Sequence, residues 1–297
     1  MNKSIYSVAL AGVFLAGAAV EAASLQAELM MPGGRSWKGN VVGRDGDWIE
    51  FSTDMGARPI RLGANTIKEL VFDIKIDQEK LNEMNRNREY ERVINALNSA
   101  LKPYQDYKDI PSNLSRYNAL LMELYYKTKD YPKTIDIAET IAADDRDTVL
   151  QEKARTYKVL ALIDSGDAVA AEQLITEYGW STDLTADASA DKLYISSKLL
   201  VLKKQYADAM ELVAKVIAFN SQDPEWMQPA ELLCAQIYTE LGRENPIMLD
   251  SAEEVIRQIS LLYKNTNEDD LAQQLKAKIE QIRAEQELQK SIEESEA

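Results

Sequence analysis

The sequence contains no histidine and a single cysteine, Cys234. Without histidine the commonest general base and the commonest metal ligand are missing, and with them the Ser-His-Asp and Cys-His arrangements of nucleophilic catalysis. A lone cysteine excludes an internal disulfide. Basic charge is short as well: 34 Lys and Arg against 49 Asp and Glu leave a net charge of −15. A chain this acidic repels phosphate backbones, so no nucleic-acid partner is expected. There is no glycine-rich phosphate loop, and Pro32-Gly33-Gly34-Arg35 reads as a strand turn. There is no calcium loop either: Asp144-Asp145-Arg146-Asp147 lacks acids at alternate positions around a central glycine and reads as a helix-capping linker. After the first residues no stretch approaches the length of a membrane span, so no stable insertion is expected. No cofactor, metal or catalytic constellation follows from these residues. Carboxylate pairs such as Glu253-Glu254 are the one acid–base candidate left, and their pattern puts them on solvated helix faces.

What is present begins with MNKSIYSVALAGVFLAGAAVEAAS. Lys3 is followed by an uncharged run from Ile5 to Val20, and Val20-Glu21-Ala22 offers small residues at signal-peptidase spacing. Residues 1–22 therefore read as a cleaved secretory signal peptide, which implies a periplasmic protein. No cysteine follows the apolar run, so a lipoprotein anchor is excluded. The remaining chain, within 297 residues that are 45% hydrophobic, can bury a large core in one elongated domain or two compact ones.

Residues 23–76 hold most of the 12 glycines and alternate short β-branched runs with turn signals. WKGNVVG and DWIEFST flank Asp45-Gly46, a hairpin signal. In the second run Trp48, Glu50 and Ser52 alternate with Ile49, Phe51 and Thr53, which assigns one face to the core and one to solvent. With AELMM, RPIRL and TIKELVFDI the segment makes about five short strands. Five such strands curl most readily into a small barrel, which removes their edges. Strand number and size resemble an SH3-like barrel.

From Gln78 onward the pattern is helical and it recurs. Short polar breaks precede Tyr90, Tyr131, Ala168 and Tyr206, at intervals of 41, 37 and 38 residues, and a fifth break falls at Leu241-Gly242-Arg243. After each landmark runs an apolar stripe spaced three, four and three: Ala209, Val213 and Val216 after Tyr206, and Thr134, Ala138 and Ile141 after Tyr131. Such a period means stacked helical hairpins, and a small residue early in the second helix lets two helices approach closely. Tyr125 and Tyr131 are expected to pack across their turn. The turns YYKTKDY, DSGDA, LKKQYADA and ELG resemble the tetratricopeptide-repeat family, in degenerate form, over about residues 78–265. The resemblance implies a mainly α fold: a solenoid of about five hairpins over 77–265, preceded by the small β-barrel and followed by a capping helix with an acidic tail, 266–297. Asp223 before Pro224 and Asn267 before Asp270 are candidate helix starts.

The resemblance also implies a binding face lined by the first helices. It would take Arg116, Ala119, Glu123, Tyr126 and Lys127 from the second hairpin, Tyr194, Lys198 and Val201 from the fourth, and Leu232 and Gln236 from the fifth. Mixed polar and aromatic positions of this kind suit an extended peptide or a partner helix. The expected activity is a non-catalytic periplasmic adaptor for other envelope or secreted proteins. The alternative is a cell-wall polymer-binding β module for which the helices act as spacer. The last helix is also a candidate surface for a homodimer. If residues 1–22 are a signal peptide, mass spectrometry of the periplasmic fraction will find a mature N-terminus at Ala23 or Ser24. Full-length protein in the cytoplasm or inner membrane would show the reading to be wrong.

Overall fold

The computed structural model describes residues 24–54, 56, 58–143, 147–180, 184–185 and 188–296. The expected signal peptide and most of the acidic run at 144–147 lie outside them. By its internal contacts the chain divides into two units. One runs through Asn87 and includes Asn95–Leu114; the other comprises Arg88–Ile94 and everything from Ser115 onward. The division assigns the first helix, α1 (Gln78–Arg86), to the strand-containing unit, and splits α2 (Tyr90–Leu101) between the two.

In the first unit five antiparallel strands form one sheet: β1 (Leu25–Met30), β2 (Ser36–Asp45), β3 (Trp48–Thr53), β4 (Ile60–Gly63) and β5 (Glu69–Phe72). Their order is β4-β3-β2-β1-β5. Asp45 pairs with Trp48 across a two-residue loop in which Gly46 takes φ 57°. Ile49 and Phe51 are fully buried while Trp48 is half exposed, as the alternation predicts. Gly39 is required by close approach, since a Cβ there would lie 2.0 Å from the Ser52 carbonyl oxygen.

The sheet is open, and the expected closed barrel is not formed. The outer side of β5 is met by Pro111–Asn113 instead of by β4. Leu70 N–H donates to the Pro111 carbonyl at 2.7 Å, and the Asn113 side chain both accepts from Phe72 N–H (3.0 Å) and donates to its carbonyl (2.9 Å), in the manner of a further strand. Phe72 is covered by Tyr104 and Tyr107, ring centroids 4.9 and 5.7 Å away. With the edge blocked and the apolar face covered by residues 102–113, nothing drives closure. Arg44 binds Asp109 through two guanidinium–carboxylate contacts, 2.5 and 2.7 Å, which anchors the same segment to β2.

In the second unit the remaining helices pair as hairpins: α3 (Leu114–Lys127) with α4 (Tyr131–Ala142), α5 (Thr148–Asp164) with α6 (Ala168–Glu177), α7 (Ala190–Leu202) with α8 (Tyr206–Phe219), and α9 (Pro224–Leu241) with α10 (Ile247–Leu262). A last helix, α11 (Asn267–Glu296), packs on α9 and α10. Each expected landmark, Tyr90, Tyr131, Ala168 and Tyr206, is the first residue of a second helix. The first helices follow one another in a row, α5 against α7, α7 against α9 and α9 against α11.

The turns explain why so little glycine is needed. Lys129, Gly166 and Lys204 occupy one equivalent position and all take the left-handed conformation, with φ 63°, 89° and 61°. The next amide then reaches back to close the helix end: Asp130 N–H to Tyr125 O (2.8 Å), Asp167 N–H to Leu162 O (2.9 Å), Gln205 N–H to Leu200 O (2.8 Å). Asp130 and Asp167 go on to cap the following helix, accepting from Lys133 N–H and Ala170 N–H. Asp223 caps α9 as expected, accepting from Glu225 N–H at 3.1 Å. The cap of α11 is Thr266 rather than Asn267: its Oγ1 accepts from Asp269 N–H at 3.2 Å.

Thr134, Ala171, Ala209 and Ala252 are all fully buried at the same place in successive second helices. Ala252, Ile256 and Ile259 complete the stripe in the fifth hairpin, which the longer turn before Ile247 had obscured. Ala209→Leu is expected to overpack this contact and to cost about 1–3 kcal/mol. Lys203→Leu, at an exposed turn position, should cost far less. Thermal melts of the two variants check the register, and equal drops in Tm would show it to be wrong.

Candidate functional site

The first helices carry a band of aromatic and charged side chains. Tyr126 stands one residue from the end of α3, and its hydroxyl donates to Asp164 Oδ2 at 2.5 Å, at the end of α5. Lys198 of α7 reaches the same carboxylate, Nζ to Oδ1 2.5 Å, and its Nζ lies 3.4 Å from the Tyr126 hydroxyl oxygen. One carboxylate thus joins three successive hairpins. Aromatic rings enclose it. Tyr157 meets Tyr126 edge to face at 5.3 Å, Tyr131 lies 6.1 Å from Tyr126, and Lys198 sits over Tyr194 at 5.8 Å. Tyr194 in turn contacts Trp226 of α9 at 5.5 Å. A second pair beside them joins Lys153 of α5 to Glu123 of α3 at 2.6 Å, with the same ammonium over the Tyr157 ring.

The electrostatics favour a static arrangement. Burial, and then the charge of Asp164, push the Tyr126 phenol well above its ordinary value. Burial does the same to Tyr157 and Tyr194. These hydroxyls stay protonated throughout the physiological range, and that of Tyr126 acts as a donor. Cys234 is no nucleophile. Burial, and then the charge of Glu231, raise its thiol to about 11, and its sulfur packs 3.8 Å from that of Met210. Among the described residues no group of three or more His, Cys, Asp or Glu could hold a metal ion, and no helix is long and apolar enough to cross a membrane.

The structure brings together Tyr126, Tyr194 and Lys198 of the sequence-derived set, and pairs Glu123 with Lys153. Arg116 and Lys127 are exposed, and Lys127 lies over the Tyr90 ring at 5.4 Å. Val201 and Gln236 are half-buried. Ala119 is buried against Met122, Ala138 and Ala154. Ala119 is thus one of three positions expected on an open face that are closed; the others are Tyr194 and Leu232. Tyr194 is only 8% exposed because the neighbouring first helix lays Trp226 against it. Leu232 is 6% exposed because α11 covers α9 there, in a cluster with Ala272 and Leu275. The aromatic partner of Tyr131 is Tyr126 rather than the expected Tyr125, which is buried with Lys133 over its ring at 4.8 Å. Asp164 was missed. Its signal was its place: an acid closing the apolar run 159–163 at the end of α5, at the position equivalent to Lys127.

No protein-family model matches this chain, and no curated protein matches it. Among solved structures, a similar chain is the crystal structure of YrrB, described as a TPR protein with an unusual peptide-binding site. It is 14% identical, with 67% of this chain and 89% of that one covered, at a TM-score of 0.33. The peptide-binding site is a property of that protein. The hairpin series of this chain stands on its own turns and stripes.

Asp164→Ala removes the shared acceptor and leaves the Lys198 ammonium, 15% exposed, without its carboxylate. The expected loss is about 2–4 kcal/mol, read by urea unfolding. Lys198→Met in the Asp164→Ala background should recover part of it. A loss below about 0.5 kcal/mol, ordinary for a surface change, would mean that the carboxylate does not join the hairpins.

Proposed function

We propose that this protein is a non-catalytic adaptor that holds segments of other proteins on the face built by its first helices. The observation that carries the reading is Arg116 and Lys127 on α3: both are exposed, on the face whose interior is already occupied by the Tyr126–Asp164–Lys198 cluster. The buried cluster rigidifies the face, and the exposed cations are left to meet a ligand. We place the protein in the periplasm, from its signal-like first residues, with other envelope or secreted proteins as partners. A second reading, a polymer-binding sheet, draws on Trp48: it is half exposed on the outer sheet face, with the Arg61 guanidinium 5.7 Å from its ring centre.

Charge reversal separates the readings. Arg116→Glu with Lys127→Glu should weaken capture of partners from periplasmic extract tenfold or more, about 1.4 kcal/mol. Circular dichroism should be unchanged, because both side chains are exposed. Trp48→Ala should leave capture intact and would instead impair cosedimentation with peptidoglycan if the sheet were the binding element. Full capture by the folded double variant would remove the first-helix face as the functional surface.

A further inference from the structure

Charge is divided unevenly along the second unit. The first helices α3, α5 and α7 each carry one more basic than acidic residue, whereas α4, α6, α8, α9, α10 and α11 are each net acidic. On α3 the two exposed cations, Arg116 and Lys127, lie eleven positions apart, three turns along one face, with Leu120 and Glu123 half-buried between them and the Glu123 charge matched by Lys153 at 2.6 Å. Among the described residues neither has a carboxylate within ion-pair distance.

The complementary surface is on the same molecule. The last contact that α11 makes with the hairpins is the Gln286 side chain, which donates to the carbonyls of Gly242 (2.9 Å) and Arg243 (3.3 Å). Residues 287–295 are then exposed at every position, a projection of roughly 13 Å at 1.5 Å per residue. On it Leu288 and Ile292 are 63% and 49% exposed, one turn apart. Glu285 continues their stripe, and Glu287, Glu293 and Glu294 outnumber Lys290, which pairs with Glu294 at 3.9 Å, so the projection is net acidic. An amphipathic, acidic helix end with two large apolar side chains in water matches a first-helix face that ends in two cations and has a leucine between them.

We propose that the occupant of the α3 face is the projecting end of α11 from a second copy of this chain, docked head to tail. The proposal rests on the reading of the first-helix face as a docking surface and names one partner for it. The contact is heterologous, with different patches on the two copies, so a docked pair keeps one free α11 end on one copy and one free α3 face on the other.

Sedimentation of the full chain over a range of concentrations reads it directly. Wild type should self-associate, less so as salt rises from 50 to 500 mM. Arg116→Glu with Lys127→Glu should be monomeric, and so should Leu288→Asp with Ile292→Asp. An equimolar mixture of these two double variants should form a one-to-one dimer and grow no further, because only one donor and one acceptor remain intact. Wild type that stays monomeric overturns the proposal. So does loss of association in the α11 variant alone, which means that two α11 ends pair with each other. If charge reversal abolishes partner capture while self-association persists, the docking face stands and self-docking falls; if it changes neither, both fall.

Discussion

One small, fully buried side chain in each of the four hairpins from α3 to α10 sets the distance on which the stack depends. Thr134, Ala171, Ala209 and Ala252 occupy it in successive second helices. With nothing larger between the helix axes, the two backbones of a hairpin approach to where side chains on either side interdigitate at interior density. Thr134 is the instructive exception. It brings a hydroxyl to a fully buried site, and donates it to the Asp130 carbonyl at 3.0 Å, one turn back. The extra polar group is satisfied locally and the spacing is kept.

That spacing aligns the first helices, and the alignment lets long polar side chains bridge them. Tyr126, Asp164 and Lys198 belong to three hairpins and to no common sequence motif. The carboxylate is clasped by an ammonium and a phenol and enclosed by rings, so its charge is matched within hydrogen-bond distance. Elsewhere the same logic recurs in weaker form. Lys278 of α11 reaches Glu240 of α9 at 2.5 Å, and Arg283 reaches Asp250 of α10 at 2.7 Å. Those pairs are more exposed and contribute correspondingly less.

The hairpins were legible in the sequence because helical periodicity and turn chemistry are local. A stripe at three, four and three, ended by a polar break, survives even where the turn carries lysine in place of glycine. The strands were legible for the same reason, down to the burial of Ile49 and Phe51. Closure of the sheet was not, because it hinges on Asn113, some forty positions beyond Phe72, imitating a strand. The site was half legible. Periodicity put Tyr126, Tyr194 and Lys198 on one side of their helices, but whether such a face is open depends on what the neighbouring helix lays upon it. Trp226 over Tyr194, and α11 over Leu232, are facts of the stack and have no counterpart within a single repeat.

The bridge at Asp164 has a consequence for the way the stack comes apart. In an array held only by contacts between adjacent units, each hairpin can fray in turn, and unfolding runs inward from the ends like a zipper. A carboxylate shared by α3, α5 and α7 adds a link between next-but-one neighbours. Loss of the middle hairpin then strands groups on both sides of it at once. The three hairpins therefore behave as one cooperative block, with fraying confined to the segments outside it.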